Sequence, residues 1–540
     1  MRAFAEKYPL LLIIPCVAVA SIAGINQYQY GMCNQFISIP WLQDLMEPQL
    51  YPHDFLVDQR ENSPTVFLMV LKALLPVFQT LPWLFFILYS FNHLLLFFAI
   101  YKLFFSLFRD TRVAILGIVA CSFAFPVLGD IHLWSTSLME RTLALPLLLL
   151  SISSQLRKNF WWAVFLQGIA FNIHPLSGFY VVIISWLAIV VAQGFKKEYL
   201  AYAVLFLVIA SPVLYLKFST PSLNPTAWQE AVWLKVMRVR NAHHAFPSAY
   251  SLEVLVKSAA IAVVFGGMVS TLKLHSYLKK YLVGFACATA LLLLIGLVFT
   301  EIYPVKLILQ LQFFRAYRFF IFLTLALWVG GLILQPKPLY YLLAPLVLSQ
   351  YFAQDLGKSA AAVVLIFLGW LWFKKTLKGS NVLYLCGLYL FLGLAAFTQR
   401  DHRAYFKGLQ DPEWYNLQGW FAQNTSAESL VIVPPQQLGF RVYSQRSSYG
   451  DWYDGTKAFF SETYAAYWWE HMSKLNCTNP DSLVQDYRKN KADVFLKIAR
   501  EEQKRFKNVY VIQYQESPLA LPKVNEFGRF VVYRIPSFLD

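Results

Sequence analysis

The residues best suited to chemistry are acids in polar segments beside long apolar runs, and the first such segment surrounds Asp54. It reads NQYQYGMCNQFISIPWLQDLMEPQLYPHDFLVDQRENSP and places Asp54 between a Tyr-Pro-His triplet and an apolar pair, a setting typical of an ordered loop. A carboxylate beside an apolar surface can have a raised pKa and act as a general base. The sequence therefore favours Asp54 as a catalytic base and makes Asp58 a candidate for binding a substrate or a metal. The alternative for each is an ordinary solvated acid.

A second polar segment, GDIHLWSTSLMERTLALP, contains Asp130, His132, Glu140 and Arg141 at the ends of two apolar runs. Charged groups at the edge of a membrane are costly to place, which favours a role for these four in binding a substrate or a metal. The competing interpretation is that Glu140 and Arg141 cap and anchor the helix that follows them.

Three histidines add to this set of candidates. His174 in NIHPLSG is a candidate for substrate or metal binding, although Pro175 alone accounts for a turn and a helix start at this point. His243 and His244 are adjacent in the chain. Since adjacent residues on a helix cannot easily direct both imidazoles at one ion, we expect no zinc site there.

Two arginines enter an apolar run in the segment EIYPVKLILQLQFFRAYRFF. On a helix, Gln312 and Arg315 share a face, and Arg318 follows one turn later. Arginines in a hydrophobic span need an anionic partner, and a guanidinium grips phosphate through paired donors. We therefore predict that these three residues bind a donor phosphate, with snorkelling to ordinary lipid phosphates as the alternative.

The elements that position these residues are long apolar runs, which indicate an α-helical polytopic membrane protein. Of the 540 residues, 58% are hydrophobic and only 14% are charged, and the mean hydropathy is +0.48. A transmembrane helix needs about 20 mostly apolar residues. We predict about thirteen such helices, near residues 8–24, 81–106, 113–129, 142–156, 159–173, 177–194, 199–216, 253–272, 281–300, 319–334, 339–354, 359–373 and 381–398.

The net charge of +16 is explained by the loops between these helices. Lys and Arg concentrate in alternate loops, so the positive-inside rule places the N-terminus in the cytoplasm. With an odd number of spans, residues 400–540 then lie outside, and we predict a bacterial inner-membrane location. Because the loops account for the basic residues, the sequence excludes nucleic acid as a partner.

The chain is predicted to divide into a transmembrane domain, residues 1–399, and a C-terminal extracytoplasmic domain, residues 400–540. The first contains two long outer segments, 25–80 and 217–252, and SPTVFLMVLKALLPVF within the earlier one is expected to lie on the membrane as an amphipathic helix. In the C-terminal part, ESLVIVPP, NVYVIQY and GRFVVYRI are typical of strands, and ADVFLKIAREEQKRF is typical of a helix. These patterns predict a small α/β domain.

This layout resembles the GT-C class of membrane glycosyltransferases, which includes protein mannosyltransferases and aminoarabinose transferases. The shared features are a first span, a long outer loop with an essential acid, many further spans and an outer C-terminal domain. The segments NQFISIPWLQDLMEPQLYPHDFLV and VIVPPQQLGFRVYSQRSSYGDWYDG are also similar to uncharacterised bacterial GT-C-like proteins. The layout covers the whole chain, whereas the motifs cover a small part of it.

The resemblance implies a transferase that moves a sugar from a polyprenyl-phosphate donor to a glycan, lipid or protein acceptor at the outer face, by an inverting single displacement. Asp54 would match the acid of the first loop, although His53 and Phe55 stand where the mannosyltransferases have a second acid. Asp130 would match a second outer acid, and Arg315 a ligand of the donor phosphate. The resemblance also allows a divalent metal cofactor.

Two other classes of function fit the sequence. A transporter or flippase of a lipid-linked sugar would explain the spans and the arginines, but it predicts broken or charged helices at mid-membrane and an inverted repeat, which the sequence does not show. A non-catalytic membrane assembly protein would use the C-terminal part to bind partners. Convergence of the acids and arginines on one cavity would favour the transferase.

Overall fold

The computed structural model describes residues 1–62, 65–78, 80–219, 225–353, 356–408 and 411–537. Its N-terminal part begins with two consecutive helices, the second of which continues as a π-helical turn over Ser21–Ile25. The helices of the first outer segment follow. These helices are α1 (Arg2–Lys7), α2 (Pro9–Ala20), α3 (Gln35–Met46), α4 (Phe55–Asp58) and α5 (Val66–Phe78).

The helical bundle follows, interrupted by one short antiparallel hairpin of β1 (Pro126–Val127) and β2 (Ile131–His132). Its helices are α6 (Leu81–Phe108), α7 (Thr111–Cys121), α8 (Glu140–Leu156), α9 (Phe160–Ile173), α10 (Pro175–Gln193), α11 (Glu198–Ser219), α12 (Ala227–Arg240), α13 (Ala242–Ala245), α14 (Leu252–Thr271), α15 (Ser276–Leu297), α16 (Lys306–Leu311), α17 (Tyr317–Leu334), α18 (Pro338–Leu342), α19 (Ala344–Leu348), α20 (Leu356–Phe373) and α21 (Gly379–Thr398).

The predicted class, a polytopic helical membrane protein, is confirmed. In the part of the chain that the structure describes, eight helical segments are long and apolar enough to cross a membrane. They are Leu81–Phe108, Pro175–Gln193, Glu198–Ser219, Leu252–Thr271, Ser276–Ile302, Lys306–Leu334, Leu356–Phe373 and Gly379–Thr398. Shorter apolar helices cover Pro9–Ile25, Thr111–Cys121 and Phe160–Ile173, where spans were also predicted.

Two predicted spans differ from the structure. The helix expected over 113–129 ends at Cys121, because the chain then forms the β1–β2 hairpin, whose tip has positive φ at Gly129 and Asp130. The span expected over 339–354 is broken into α18, α19 and a 3-10 segment, and a proline lies in the first turn of each short helix.

The broken segment nevertheless runs beside α14. Lys337 Nζ donates to the carbonyl oxygen of Thr271 at 2.6 Å, and Gln350 Nε2 donates to that of Lys257 at 3.2 Å. Because Thr271 and Lys257 lie near opposite ends of α14, the segment follows that helix for about 20 Å.

The outer segment 217–252 is ordered by the C-terminal part where it is described, and residues 220–224 lie outside the described residues. Trp233 Nε1 donates to the carbonyl oxygen of Ala458 at 2.8 Å, and Asn241 Nδ2 donates to that of Gly455 at 3.1 Å. Helix α5 forms within SPTVFLMVLKALLPVF, of which Ser63 and Pro64 also lie outside the described residues.

The C-terminal part forms the small α/β domain that the sequence predicts. Its five-stranded sheet has the order β4-β3-β5-β7-β6, with β3 parallel to β4 and β5 and the other pairs antiparallel. The edge strands β4 and β6 escaped prediction because one has only two residues and the other lacks an apolar run. The elements are α22 (Pro412–Asn424), β3 (Ser429–Ile432), α23 (Phe440–Ser444), β4 (Ser447–Ser448), α24 (Glu462–Lys474), α25 (Leu483–Lys489), α26 (Ala492–Glu502), β5 (Asn508–Tyr514), β6 (Lys523–Phe527) and β7 (Phe530–Arg534).

The first outer segment and the C-terminal domain share one hydrophobic core. Trp41 and Leu56 of the segment are buried in the same cluster as Val431, Phe440 and Trp468 of the domain. Burial of apolar surface is the main stabilising contribution to a fold. The two parts therefore stabilise each other although they are distant in the sequence.

Candidate functional site

A polar cavity of about 310 Å³ opens between the helical bundle and the C-terminal domain. Its walls come from the start of α3, the β1–β2 hairpin, the α12–α13 region and a 3-10 turn, Asp454–Phe460, of the C-terminal domain. Segments that are distant in the sequence thus converge on one concave site, which is where binding and catalysis concentrate in proteins.

Most of the predicted site residues line this cavity. Two of them lie in the β1–β2 hairpin, two at the start of α8 and one at the N-terminus of α10. The remaining two lie at the end of α16 and in the 3-10 turn that follows it. In chain order, the residues are Asp130, His132, Glu140, Arg141, His174, Gln312 and Arg315. His174 also caps α10, because its Nδ1 accepts from the backbone N–H of Ser177 at 3.1 Å. It therefore takes part in starting the helix, as the alternative interpretation of this residue proposed.

Asp54, the predicted catalytic base, does not line this cavity. Its side chain is completely buried, and Oδ2 accepts from Arg441 Nε at 2.7 Å and from the backbone N–H of Ser448 at 3.0 Å. Oδ1 accepts from the backbone N–H of Leu56 at 3.1 Å and thereby caps α4. Both carboxylate oxygens are therefore engaged inside the protein, between the first outer segment and the C-terminal domain.

Arg441 extends this ion pair into a buried network inside the C-terminal domain. Its Nη1 donates to Asp454 Oδ2 at 2.9 Å, and the backbone N–H of Asp454 donates to Asp451 Oδ1 at 3.0 Å. Burial is the main cause that raises the pKa of Asp451, and the charge of Asp454 adds to it. The network fixes the beginning of the 3-10 turn that carries cavity residues.

Two other predicted site residues also lie off the cavity wall. Asp58 is exposed at the end of α4, where desolvation and the charge of Asp54 raise its pKa. Arg318 is buried in α17, and its Nη2 lies 3.4 Å from Ser177 Oγ, to which it donates. Arg318 therefore lies behind the cavity, against the start of α10.

The expected helical stripe of Gln312, Arg315 and Arg318 is interrupted. Gln312 has φ of 48°, which ends α16, and a 3-10 turn over Phe313–Ala316 precedes α17. Among the described residues, Gln312 Oε1, Arg315 Nε and Arg318 Nε have no hydrogen-bonding partner. Buried polar groups are normally paired, and Gln312 and Arg315 line the cavity, so these two side chains could bond to a polar ligand there.

An acid and two histidines form a compact group at the rim. One potential ligand atom from each of Asp130, His243 and His244 lies within 4.8 Å of the others. Desolvation lowers the pKa of His243 to about 4 and that of His244 well below its usual range. The grouping is compatible with the divalent metal that the sequence analysis allowed, and it brings ligand atoms of His243 and His244 near one another although no zinc site was expected at these adjacent residues.

The C-terminal domain adds further residues to the cavity wall, among them Tyr453 and Lys457. Tyr453 donates its hydroxyl hydrogen to Asn34 Oδ1 at 2.8 Å, and Lys457 Nζ lies 4.1 Å from the ring centroid of Trp41. Desolvation lowers the pKa of Lys457 to about 8, against the opposing effect of Glu140. The motif YGDWYDG marked this segment in the sequence, but its placement depends on tertiary contacts that no local pattern shows.

A second cavity, apolar in character, adjoins the first. It also measures about 310 Å³, and Phe171, Leu176, Val213, Leu214 and Phe460 form its apolar wall. The two cavities share the residues Asn34, Glu140, His174, Leu176, Lys457 and Phe460. If an elongated ligand placed its polar head in the first cavity and its apolar tail in the second, the point where head and tail join would lie beside Glu140 and Lys457.

Comparison with known proteins identifies the fold. A family profile described as a domain of unknown function, DUF6798, matches residues 412–475. Sequence comparison with curated proteins gives no significant match.

Solved structures give clearer similarity. The crystal structure of ArnT from Cupriavidus metallidurans bound to undecaprenyl phosphate is 12% identical, with a TM-score of 0.52 over 99% of each chain. The oligosaccharyltransferase of Archaeoglobus fulgidus, in complex with zinc and sulfate, is 14% identical, with a TM-score of 0.38 over 82% of this chain and 62% of the other. The similarity to ArnT over the full length shows that this chain has the GT-C-like membrane fold that the sequence predicts.

Proposed function

We propose that this protein is a membrane glycosyltransferase that moves a sugar from a polyprenyl-phosphate donor to an acceptor on the outer face of a bacterial inner membrane. The observation that carries the proposal is the pair of adjoining cavities, one polar with acids and cations and one apolar. The structural neighbour ArnT, which was crystallised with undecaprenyl phosphate, has the same fold. A polyprenyl phosphate has the same division between a charged head and an apolar tail.

The cations of the polar cavity would hold the phosphate. Arg141, Arg315 and Lys457 all line it, and Arg315 Nε lacks a partner among the described residues. As the glycosidic bond breaks, negative charge develops on the phosphate oxygen, and fixed cations lower the energy of that state. Gln312 Oε1 would accept a hydrogen bond from a sugar hydroxyl, because an amide oxygen cannot bond to an ionised phosphate.

Glu140 is the acid best placed to receive the acceptor proton. It lines the polar cavity together with Arg141 and Arg315, so it can lie beside the sugar of a donor whose phosphate those arginines hold. In the reaction the acceptor oxygen bonds to the anomeric carbon, the bond from that carbon to the phosphate oxygen breaks, and the acceptor proton passes to Glu140. Attack opposite the leaving phosphate inverts the anomeric centre.

Substitution of Arg315 tests this assignment. We expect Arg315→Ala to lower the rate of transfer by about 100-fold or more, as does the loss of one transition-state donor in other enzymes. Arg315→Lys should keep part of the rate because it keeps the charge. The assay uses the purified protein in lipid nanodiscs with a panel of polyprenyl-phosphate sugars, and it measures the polyprenyl phosphate released and the glycosylated acceptor.

Arg403→Ala provides the matched control, because Arg403 pairs with Asp401 on the surface, away from the cavity. Its rate should equal that of the wild type. Movement of intact donor across a vesicle membrane, with no release of polyprenyl phosphate from any donor in the panel, would identify a flippase instead. Unchanged transfer by Arg315→Ala would remove the phosphate assignment.

A further inference from the structure

The turn of the β1–β2 hairpin faces the one-turn helix α13 at the rim of the polar cavity. Asp130 lies at the tip of the hairpin with φ of 50°, and it follows Gly129 with φ of 84°. The side chains of Asp130, His243 and His244 line the cavity together. Two elements that are separated by more than a hundred residues thus bring one carboxylate and two imidazoles to the same place.

The distances suit a small cation. His243 Nε2 lies 3.8 Å from Asp130 Oδ2, and one potential ligand atom from each of the three residues falls within 4.8 Å of the others. Zinc binds nitrogen and oxygen ligands at about 2.0–2.2 Å with tetrahedral angles, which separates neighbouring ligand atoms by about 3.4 Å. The widest pair must therefore close by little more than one ångström. Asp130 can make this movement because its side chain is more than half exposed.

A backbone contact orients one imidazole as metal ligands are usually oriented. His244 Nδ1 lies 3.3 Å from the carbonyl oxygen of Gly129, the residue before Asp130. Since a carbonyl oxygen only accepts hydrogen bonds, this contact places the proton on Nδ1 and leaves the lone pair on Nε2. Histidines that bind metals almost always donate their other N–H to a backbone carbonyl or a carboxylate in this way.

We propose that Asp130, His243 and His244 bind a zinc ion at the rim of the cavity. Two imidazoles with one carboxylate suit zinc, whereas magnesium and calcium prefer oxygen ligands throughout. Three protein ligands leave a fourth position open, as in catalytic zinc sites. Zinc binding itself is independent of the proposed glycosyl transfer. A role for the ion as a Lewis acid toward an acceptor hydroxyl rests on that proposed function.

Metal content tests the proposal directly. The full-length protein in nanodiscs is treated with a chelator, dialysed against zinc and then against metal-free buffer, and zinc is measured per chain by mass spectrometry. We expect one zinc per wild-type chain, almost none in the double variant His243→Ala/His244→Ala, and a clear loss in Asp130→Asn. Cobalt in place of zinc should give the visible absorption of a tetrahedral site in the wild type and not in the double variant.

His132→Ala is the matched control, since His132 lines the same cavity but is not part of the group of three. It should keep its zinc. Thermal unfolding adds a readout that does not depend on activity, because zinc should raise the melting temperature of the wild type and leave that of Asp130→Asn unchanged. A wild-type protein without zinc, or a double variant that keeps it, would overturn the proposal. Zinc bound by a protein inactive with every donor would refute the transferase alone.

Discussion

At the scale of single residues, Asp54 and Arg441 connect the first outer segment to the C-terminal domain. We expect Asp54→Asn to destabilise the protein by about 3 kcal/mol, because removal of one partner leaves a buried charge less well compensated. Asp58→Asn, only four residues further on, should have little effect because Asp58 is exposed. The measurement is thermal unfolding in nanodiscs, together with the rate of transfer per folded molecule.

The same experiment separates the two roles that have been considered for Asp54. If its role is structural, the rate per folded Asp54→Asn molecule equals that of the wild type. A variant with an unchanged melting temperature and a lost rate would restore Asp54 as the base and would remove Glu140 from that role.

If Lys457 holds the donor phosphate as proposed, donor binding depends on pH. Desolvation lowers its pKa to about 8, so the ammonium that would attract the donor phosphate loses its proton as the pH rises through 8. We expect the KM for the donor to rise several-fold between about pH 7 and pH 9, with a smaller change in kcat. Lys457→Arg should flatten this profile, because a guanidinium keeps its charge throughout the range.

Steady-state kinetics at a series of pH values checks this prediction. Lys491→Arg serves as the control, since Lys491 lies in the C-terminal domain and outside the polar cavity, and it should leave the profile unchanged. A Lys457→Arg enzyme with the wild-type pH dependence would contradict the assignment of Lys457 to the donor phosphate.

The side chains that the sequence could identify were those in unusual local settings. Glu140 and Arg141 stood out as charges at the start of an apolar run, and Arg315 as a charge within one. Lys457 gave no such signal, because lysines in a polar domain are common. Asp54 had the same kind of signal as Asp130, and only the tertiary fold shows that Arg441 pairs with Asp54 and not with Asp130.

At the scale of elements, the β1–β2 hairpin packs directly against the 3-10 turn Phe313–Ala316, which carries Arg315. A Cβ at Gly129 would lie 2.8 Å from Arg315 Cγ and 3.0 Å from its backbone nitrogen, so Gly129→Ala should displace Arg315. We expect the rate of transfer to fall at least tenfold, which corresponds to about 1.4 kcal/mol.

Gly194→Ala gives a matched control for this prediction. Gly194 also has a positive φ, 76° against the 84° of Gly129, so alanine is strained at both positions, but a Cβ at Gly194 would meet nothing within 4 Å. Its rate should remain that of the wild type, as measured in the same transfer assay. Equal rates for the two variants would show that the contact between Gly129 and Arg315 does not matter for transfer.

The elements themselves were largely predictable, because apolar runs in a membrane protein must form helices whatever their neighbours. The strands over Ser429–Ile432 and Asn508–Tyr514 were also recognised from their composition. The interruptions within these helices could not be predicted from the sequence. The left-handed conformation of Gln312 and the division between α18 and α19 depend on packing against other helices, which periodicity along the chain does not show.

At the scale of the whole molecule, the shared core fixes a topological relation. Residues of the first outer segment and of the C-terminal domain can occupy one cluster only if both lie on the same side of the membrane. The chain between them must then cross an even number of times. The broken segment beside α14 fits this requirement as a crossing, since its hydrogen bonds to Thr271 and Lys257 lie near opposite ends of that helix.

The parts of the polar cavity are synthesised at different times, because Lys457 lies late in the chain. The polar cavity takes one wall from the first outer segment, which is synthesised early, and another from the 3-10 turn Asp454–Phe460, which is synthesised near the end. The helices of a nascent chain therefore enter the bilayer before the residues that complete the polar cavity have been synthesised. Until that turn has been made and has folded, Trp41 lacks its contact with Lys457, so this ring is a surface that chaperones and proteases can recognise in chains that stop short of the turn.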